Sequence, residues 1–287
     1  MKLARLRYDG SVRYGIVDGD DVALADIAAP PDSLGVLGLL SLDSAALSNG
    51  LRAWPRVALA DVELLAPVGR PGKILAIALN YREHASETGQ DVPKVQKWFN
   101  KQTTAVNAPF APVDMPAVST ALDYEAEVVV VIGKPGRHVP RERAMEIVAG
   151  FACGCDYSVR DWQRASPTMI MGKGFDTHAP FGPWLTTPDE VGAIEDLGVR
   201  CLVNGEQRQS GSAGDMIFDI GAQIEHLTKA FTLEPGDLLF TGTPPGVGVA
   251  RTPPAFLKVG DRVRVEVDRL GAIEAEITPE DATTRIG

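Results

Sequence analysis

Glu125 and Glu127 stand two apart in Asp123-Tyr124-Glu125-Ala126-Glu127, which runs into Val128-Val129-Val130-Val131-Ile132. The β-branched run reads as a buried strand. Alternation along a strand puts both carboxylates on one side. Acids leading into an apolar strand are costly unless a positive charge sits between them. Carboxylate oxygens suit a hard divalent cation such as Mg²⁺, Mn²⁺ or Ca²⁺. An isolated pair of this kind reads as a solvated strand end, so the remaining chain must supply partners.

Three groups of residues are candidates for that part. Asp156, which the sequence places just after a helix and a Gly-rich turn, would complete a facial set of oxygen ligands with open positions for water and substrate. Alone it reads as a cap or turn residue. His84 and Glu87 are three apart and share a face if their segment is helical. A carboxylate that orients an imidazole makes a general base. Lys173, Arg160 and Gln163 can contact anions or carbonyls, with arginine able to hold a carboxylate bidentately. The loop Thr241-Gly242-Thr243-Pro244-Pro245-Gly246-Val247-Gly248 could present N–H groups or the Thr243 hydroxyl to a ligand. It is no phosphate motif, and neither a serine elbow nor a cysteine beside a base is present.

The elements that must carry these residues are mostly strands. Gly (29) and Pro (21) are frequent in the 287 residues, which implies many turns. Residues 3–27 alternate apolar and polar around Asp9-Gly10 and Asp18-Gly19, predicting a small β-meander. Residues 33–51 can hold a helix or two, and 66–72 reads as a linker, dividing the chain into 1–66 and 70–287. In the larger part, Lys73–Leu79 predicts a buried strand and 91–116 a long loop. Pro140 opens a predicted helix with Ala144, Ile147, Val148 and Phe151 on its apolar face. A strand over 197–203 turns at Asn204-Gly205. Residues 215–231 predict a second helix, and 262–267 a half-exposed strand.

The net charge of −10 argues against nucleic acid and gives no reason to expect an anionic membrane. No apolar run approaches a membrane span, and the first residues carry no apolar signal core. Three cysteines, Cys153, Cys155 and Cys201, make no disulfide framework and read as small core residues, which fits a reducing cytoplasm.

Taken in order, several pieces form one pattern: Asn80-Tyr81-x-x-His84-x-x-Glu87, Asp123-Tyr124-Glu125-Ala126-Glu127, Asp156-x-x-x-Arg160-Asp161-x-Gln163, Lys173-Gly174-Phe175-Asp176, Asn204-Gly205-Glu206, Gly236-Asp237 and Thr241-Gly242-Thr243-Pro244. Over about residues 70–275 this resembles the fumarylacetoacetate hydrolase family. Ala78 departs from a glycine common before the Asn-Tyr, and Cys155 from an asparagine common before the aspartate. The resemblance implies an α+β, mostly β fold, a mixed β-sandwich roll with flanking helices, behind a small β-rich N-terminal domain. It implies a homodimer. It puts Glu125, Glu127 and Asp156 on metal ligands, and His84, Glu87 and Lys173 on catalytic positions. Arg160, Gln163, Lys101, Tyr81 and Thr243 fall on or near substrate contacts.

The implied activity is metal-dependent hydrolysis of a carbon–carbon bond in an acylpyruvate-like 2,4-dioxo acid. His84, held by Glu87, would activate water, and Mg²⁺ or Mn²⁺ would stabilise the pyruvate enolate. The same constellation serves an oxaloacetate decarboxylase, an isomerase or a dehydratase on a 2-oxo acid. A non-catalytic, metal-dependent dicarboxylate-binding protein would keep the triad without needing the His84–Glu87 pair.

Overall fold

The computed structural model describes residues 1–42 and 44–286. The chain opens with the predicted meander, β1 (Lys2–Tyr8), β2 (Ser11–Asp18) and β3 (Asp21–Leu24). Asp9 and Gly10 both take positive φ, 48° and 72°, as a two-residue hairpin turn of this hand requires. A 3₁₀ turn at Gly35–Ser41 and helix α1 (Ser44–Ala53) follow, then β4 (Arg56–Ala58) and β5 (Glu63–Leu65).

Next come β6 (Ile74–Ala78), α2 (Arg82–Glu87), β7 (Lys97–Lys101), β8 (Val106–Asn107), β9 (Val113–Met115), β10 (Leu122–Asp123) and β11 (Ala126–Ile132). After them lie β12 (Val148–Cys155), β13 (Ser158–Val159), α3 (Arg160–Arg164), α4 (Ile170–Lys173), β14 (Ala179–Thr186) and α5 (Pro188–Val191). The chain closes with β15 (Gly198–Val203), β16 (Glu206–Ser212), α6 (Ile220–Ala230), β17 (Leu238–Phe240), β18 (Arg262–Val267) and β19 (Gly271–Pro279).

The main sheet runs in the order β4-β3-β2-β1-β14-β12-β11-β17-β6-β7, with β5 beside β1 and β8 beside β14. Because β1 pairs with both β2 and β14, the N-terminal meander is hydrogen-bonded into this sheet. A second sheet, β16-β15-β18-β19-β9, packs over β11 and β12. All of β11 is buried, which explains its unbroken apolar run. Val128, Val130 and Ile132 face the second sheet, against Val199, Cys201 and Val265. Val129 and Val131 face the other way, with Phe99, Phe240 and the N-terminal residues Leu3 and Ile16. The fold is thus α+β and mostly β, as expected.

Three expectations are corrected. The helix predicted from Pro140 is only a 3₁₀ turn, Arg141–Ile147, and Val148 and Phe151 belong to β12. There Phe151 pairs with Val130 on one side and Thr186 on the other, so two neighbouring strands override the helical spacing. Asp156 therefore follows a strand, not a helix. The supposed loop at 91–116 contains β7, zipped against β6 from Ile74↔Lys101 to Ala78↔Lys97. The helix expected over 215–231 is shorter: α6 begins only at Ile220, capped by the Asp219 side chain, and ends at Ala230.

Candidate active site

Sheet register assembles the acidic centre. β11 and β12 are antiparallel with Ala126 opposite Cys155, and Asp156 N–H donates to Glu125 O at 2.8 Å. Asp156 is thereby set beside Glu125 at the end of the ladder. Glu127 sits one strand repeat inward on the same side. One carboxylate oxygen from each of Glu125, Glu127 and Asp156 lies within 4.8 Å of the other two, and all three residues are buried.

Three buried cations surround them. Lys173, at the end of α4, donates to Glu125 Oε2 at 2.6 Å and to Asp156 Oδ2 at 2.7 Å. Lys101, on β7, donates to Asp156 Oδ1 at 2.5 Å and to the carbonyls of Lys173 and Tyr157. Arg160, opening α3, meets Glu125 Oε1 at 2.7 Å and Asp123 Oδ2 at 2.8 Å. Asp123 is fixed in turn by the N–H groups of Gly248 and Val249. Burial opposes charge on Glu125, but Lys173 and Arg160 outweigh it and hold the carboxyl well below the ordinary range. Burial likewise opposes charge on Lys173, yet Asp156 and Glu125 keep its ammonium above the ordinary value. Lys101 goes the other way, because its burial outweighs the attraction of Asp156.

Glu127 differs. Among the described residues it accepts one hydrogen bond, from Gly242 N–H at 2.8 Å, and has no ion-pair partner. Burial, then Asp156 and Glu125, push its carboxyl well above the ordinary range. Four buried carboxylates thus face three cations, with Glu127 the one left over. An all-oxygen set with an uncompensated buried acid fits a hard divalent cation held by Glu125, Glu127 and Asp156.

The His84–Glu87 pair forms on α2 as the three-residue spacing predicts. His84 Nδ1 lies 2.7 Å from Glu87 Oε1, and Glu87 Oε2 accepts Gly246 N–H at 2.8 Å. Besides Gly248, which holds Asp123, the 241–248 loop thus spends two N–H groups on Glu127 and Glu87. Both donors are glycines with positive φ, 97° at Gly242 and 110° at Gly246. At Gly246 a Cβ would meet Arg208 O at 2.0 Å.

A cavity of about 560 Å³ opens over this centre. His84, Glu125, Glu127, Lys173, Arg160, Gln163 and Thr243 line it. Lys101 and Tyr81 do not: Lys101 lies beneath, against Asp156, and Tyr81 is buried with its backbone bridged to Met216. Burial, with Glu127 nearby, pushes the Tyr81 phenol up. Gln209 escaped the sequence reading. It is buried on β16, its Oε1 accepts Ala126 N–H at 2.9 Å, and its Nε2 donates to Thr243 Oγ1 and Pro244 O at 2.8 Å. Its partners are too distant in sequence for any local pattern to signal the contact.

Comparison with known proteins places the chain in a family. Residues 73–278 match the fumarylacetoacetate (FAA) hydrolase C-terminal family, and residues 1–34 an Rv2993c-like N-terminal family. The mitochondrial oxaloacetate tautomerase fahd2 of Xenopus laevis is 45% identical over 215 residues, 74% of this chain and 67% of that protein. The fumarylacetoacetate hydrolase of Exiguobacterium antarcticum superposes with a TM-score of 0.84 at 30% identity, covering 98% of this chain and 100% of that one. The maleylpyruvate hydrolase of Sphingobium sp. SYK-6, solved with manganese(II) and pyruvate, gives 0.82 at 33% identity with the same coverage. With the matched model spanning most of its length, the chain belongs to the fumarylacetoacetate hydrolase family.

Proposed function

We propose that this chain is a divalent-metal-dependent enzyme that moves a proton at the carbon beside the 2-oxo group of a 2-oxo acid carrying a second carboxylate or carbonyl. Keto–enol tautomerisation of oxaloacetate is its simplest reaction. One observation carries the reading: His84, hydrogen-bonded to Glu87, and the acids Glu125 and Glu127 face a single cavity. The similarity to an oxaloacetate tautomerase supports the substrate class.

Mg²⁺ or Mn²⁺, held by Glu125, Glu127 and Asp156, would supply a Lewis acid for the 2-oxo and carboxylate oxygens. The protein's own residues do the rest. Glu87 engages His84 Nδ1, which leaves Nε2 to accept the proton from C3. The C3–H electron pair becomes the C2–C3 double bond, and the proton is returned at the C2 oxygen. Lys173 Nζ offers positive charge where that oxygen gains electron density. Gln163 and Thr243 line the same space and would orient the acid.

A second reading is hydrolytic cleavage of an acylpyruvate, in which His84 takes its proton from the water that attacks the distal carbonyl. The cavity, at about 560 Å³, is roomy for a four-carbon acid and has space for an acyl group and a water. Similarity to a maleylpyruvate hydrolase points the same way.

The test uses protein loaded with Mg²⁺ or Mn²⁺, oxaloacetate presented as its enol, and a panel of acylpyruvates. Loss of enol absorbance and formation of pyruvate are followed separately. Faster enol loss without pyruvate supports tautomerisation. Pyruvate and a carboxylic acid released from an acylpyruvate support hydrolysis. Neither, across the panel and with both metals, refutes both readings.

A further inference from the structure

A second groove, of about 970 Å³, shares no lining residue with the cavity over the acidic centre. Tyr124 lines it, while Glu125, the next residue, lines the first cavity. Three cations converge on the groove: Arg208 from β16, and Arg251 and Lys258 from the segment between β17 and β18. Arg208 Nη2 meets the exposed Glu206 at 2.8 Å, but Arg251 and Lys258 have no ion-pair partner among the described residues. The acid in the lining, Asp261, already accepts Asn204 Nδ2 on one oxygen and Lys258 N–H on the other, both at 2.8 Å. The Nε atoms of Arg208 and Arg251 are both buried without a hydrogen-bond partner among the described residues. A buried guanidinium N–H costs free energy until an acceptor reaches it. Pro254 and Phe256 give the same groove an apolar wall.

The groove backs onto the loop that holds the active-site acids. Tyr124 Oη donates to Gly246 O at 3.2 Å, and Gly246 N–H is the donor to Glu87. Arg251 Nη2 donates to Arg208 O at 3.4 Å, the same oxygen that a Cβ on Gly246 would meet at 2.0 Å. The Arg251 backbone N–H donates to Gly248 O at 3.3 Å. Burial raises the Tyr124 phenol, and the nearby Arg251 guanidinium opposes that rise. Gly246 is therefore held on one side by Glu87 and on the other by groove residues.

We infer that this groove is an effector site for an organic phosphate monoester, with the phosphate gathered by Arg208, Arg251 and Lys258 and the apolar body laid against Pro254 and Phe256. A phosphate offers three acceptor oxygens, which match three cationic donors better than the two of a carboxylate. Binding favours the arrangement in which the Arg251 guanidinium turns to the anion and leaves Arg208 O and Tyr124. Gly246 then loses its bracing on the groove side, and its hold on Glu87 slackens. The effector lowers turnover through the positioning of His84, without occupying the cavity where substrate binds.

Phenyl phosphate is the probe, titrated into Mg²⁺-loaded protein while the Gly246 backbone amide is followed by NMR. A saturable shift is expected in the wild type. Arg251→Met is expected to weaken the affinity at least about tenfold and Lys258→Met at least about threefold, as loss of charge-assisted hydrogen bonds does. Thermal melts check that both variants are folded. Lys258 is exposed, so its variant decides the matter if Arg251→Met does not fold. Benzoate, which changes the headgroup, and inorganic phosphate, which lacks the body, are each expected to bind at least about fivefold more weakly. In kinetics on oxaloacetate, phenyl phosphate is expected to lower kcat at least about threefold and to change KM by less than about twofold. A shift that does not saturate, an affinity unchanged in both variants, or benzoate binding as tightly as phenyl phosphate overturns the site as assigned. Inhibition through KM alone would put the probe at the metal and overturn it too. The NMR titration needs no turnover, so an inactive enzyme that still shows the expected shifts refutes the proposed function and not the site. Turnover that ignores bound phenyl phosphate overturns the effector role.

Discussion

Gly246 donates its backbone N–H to Glu87 Oε2 at 2.8 Å, while the other oxygen of that carboxylate meets His84 Nδ1 at 2.7 Å. Four residues earlier, Gly242 N–H holds Glu127 Oε2 at 2.8 Å. One loop therefore orients the imidazole's partner and the one acid that lacks a cation. The acid–base pair and the acidic triad are separate in sequence but share this mechanical anchor. With both oxygens engaged, Glu87 cannot rotate away from His84 without breaking a hydrogen bond to the backbone.

If that carboxylate orients His84 for proton transfer, Glu87→Gln is expected to lower kcat by about 10²–10³. Affinity for Mn²⁺ should change by less than about threefold, because Glu87 makes no hydrogen bond to the triad among the described residues. Steady-state kinetics and calorimetry on one preparation check this. A loss of metal affinity as large as the loss of kcat would show that Glu87 serves the acidic centre instead.

Glu127→Gln separates stability from metal binding. At neutral pH the metal-free fold must either protonate Glu127 or bury its charge, and burial beside Asp156 and Glu125 makes both unfavourable. Glutamine avoids this and can still accept Gly242 N–H. The metal-free variant is expected to be more stable by roughly 2 kcal/mol, several degrees in melting temperature. Mn²⁺, which should stabilise the wild type by binding only the folded state, should no longer raise it. A melt that falls in the variant, or still responds to Mn²⁺, contradicts the assignment of Glu127 as the uncompensated ligand.

What could be read from the sequence follows from how local each feature is. Glu125 and Glu127 lie one strand repeat apart, and His84 and Glu87 one helical turn apart, so spacing alone brings each pair together. Asp156 needs the β11–β12 register, which spacing does not give; the sequence offers it only as a candidate third carboxylate, and the resemblance to a family puts it on a metal ligand. The resemblance alone puts Lys101 near substrate; its contact with Asp156 depends on β7, a strand that lies within the proline-punctuated stretch predicted as a loop. β12 was read as helical because Val148, Phe151 and the preceding Ala144 and Ile147 happen to fit a helical face. Its real constraint is close approach: a Cβ on Gly150 would meet Thr186 O at 2.3 Å, and one on Gly154 would meet Val129 Cγ2 at 2.4 Å. Contacts of that kind leave no periodic trace.

Gln209 is the clearest case of a residue visible only in three dimensions. It ties Ala126, beside the two glutamates, to Thr243 and Pro244 in the loop that holds Glu87 and Glu127. Gln209→Leu keeps the volume but strands the buried Ala126 N–H and the Pro244 carbonyl, while the Thr243 hydroxyl keeps its bond to Ala126 O. It is expected to cost about 3 kcal/mol in urea unfolding. The same variant should weaken Mn²⁺ binding and slow turnover together, since the loop serves both the triad and the His84–Glu87 pair. Wild-type stability with unchanged metal affinity would show that the clamp is dispensable.

His178 gives the protein a predictable acid sensitivity away from the catalytic centre. It is fully buried, its Nε2–H donates to Asp114 O at 2.8 Å, and its ring stacks on Phe175 at 5.5 Å. Its Nδ1 is buried without a partner among the described residues, so a second ring proton would have no acceptor. Burial chiefly, opposed by the Asp114 hydrogen bond and assisted by Lys101, lowers its pKa from 6.5 to about 3. The unfolded chain therefore takes up a proton between those two values and the folded chain does not. Stability from this group is complete above pH 6.5 and declines as pH falls toward 3. At pH 5 the loss is about 2 kcal/mol relative to neutral pH. His178→Gln keeps a donor for the Asp114 carbonyl but does not titrate. Urea midpoints at pH 7 and pH 5 should therefore lie closer together in the variant than in the wild type, by an amount equivalent to that ~2 kcal/mol. An identical pH response in both proteins would mean that His178 accepts its proton in the folded state at no cost, which its buried, unpartnered Nδ1 argues against.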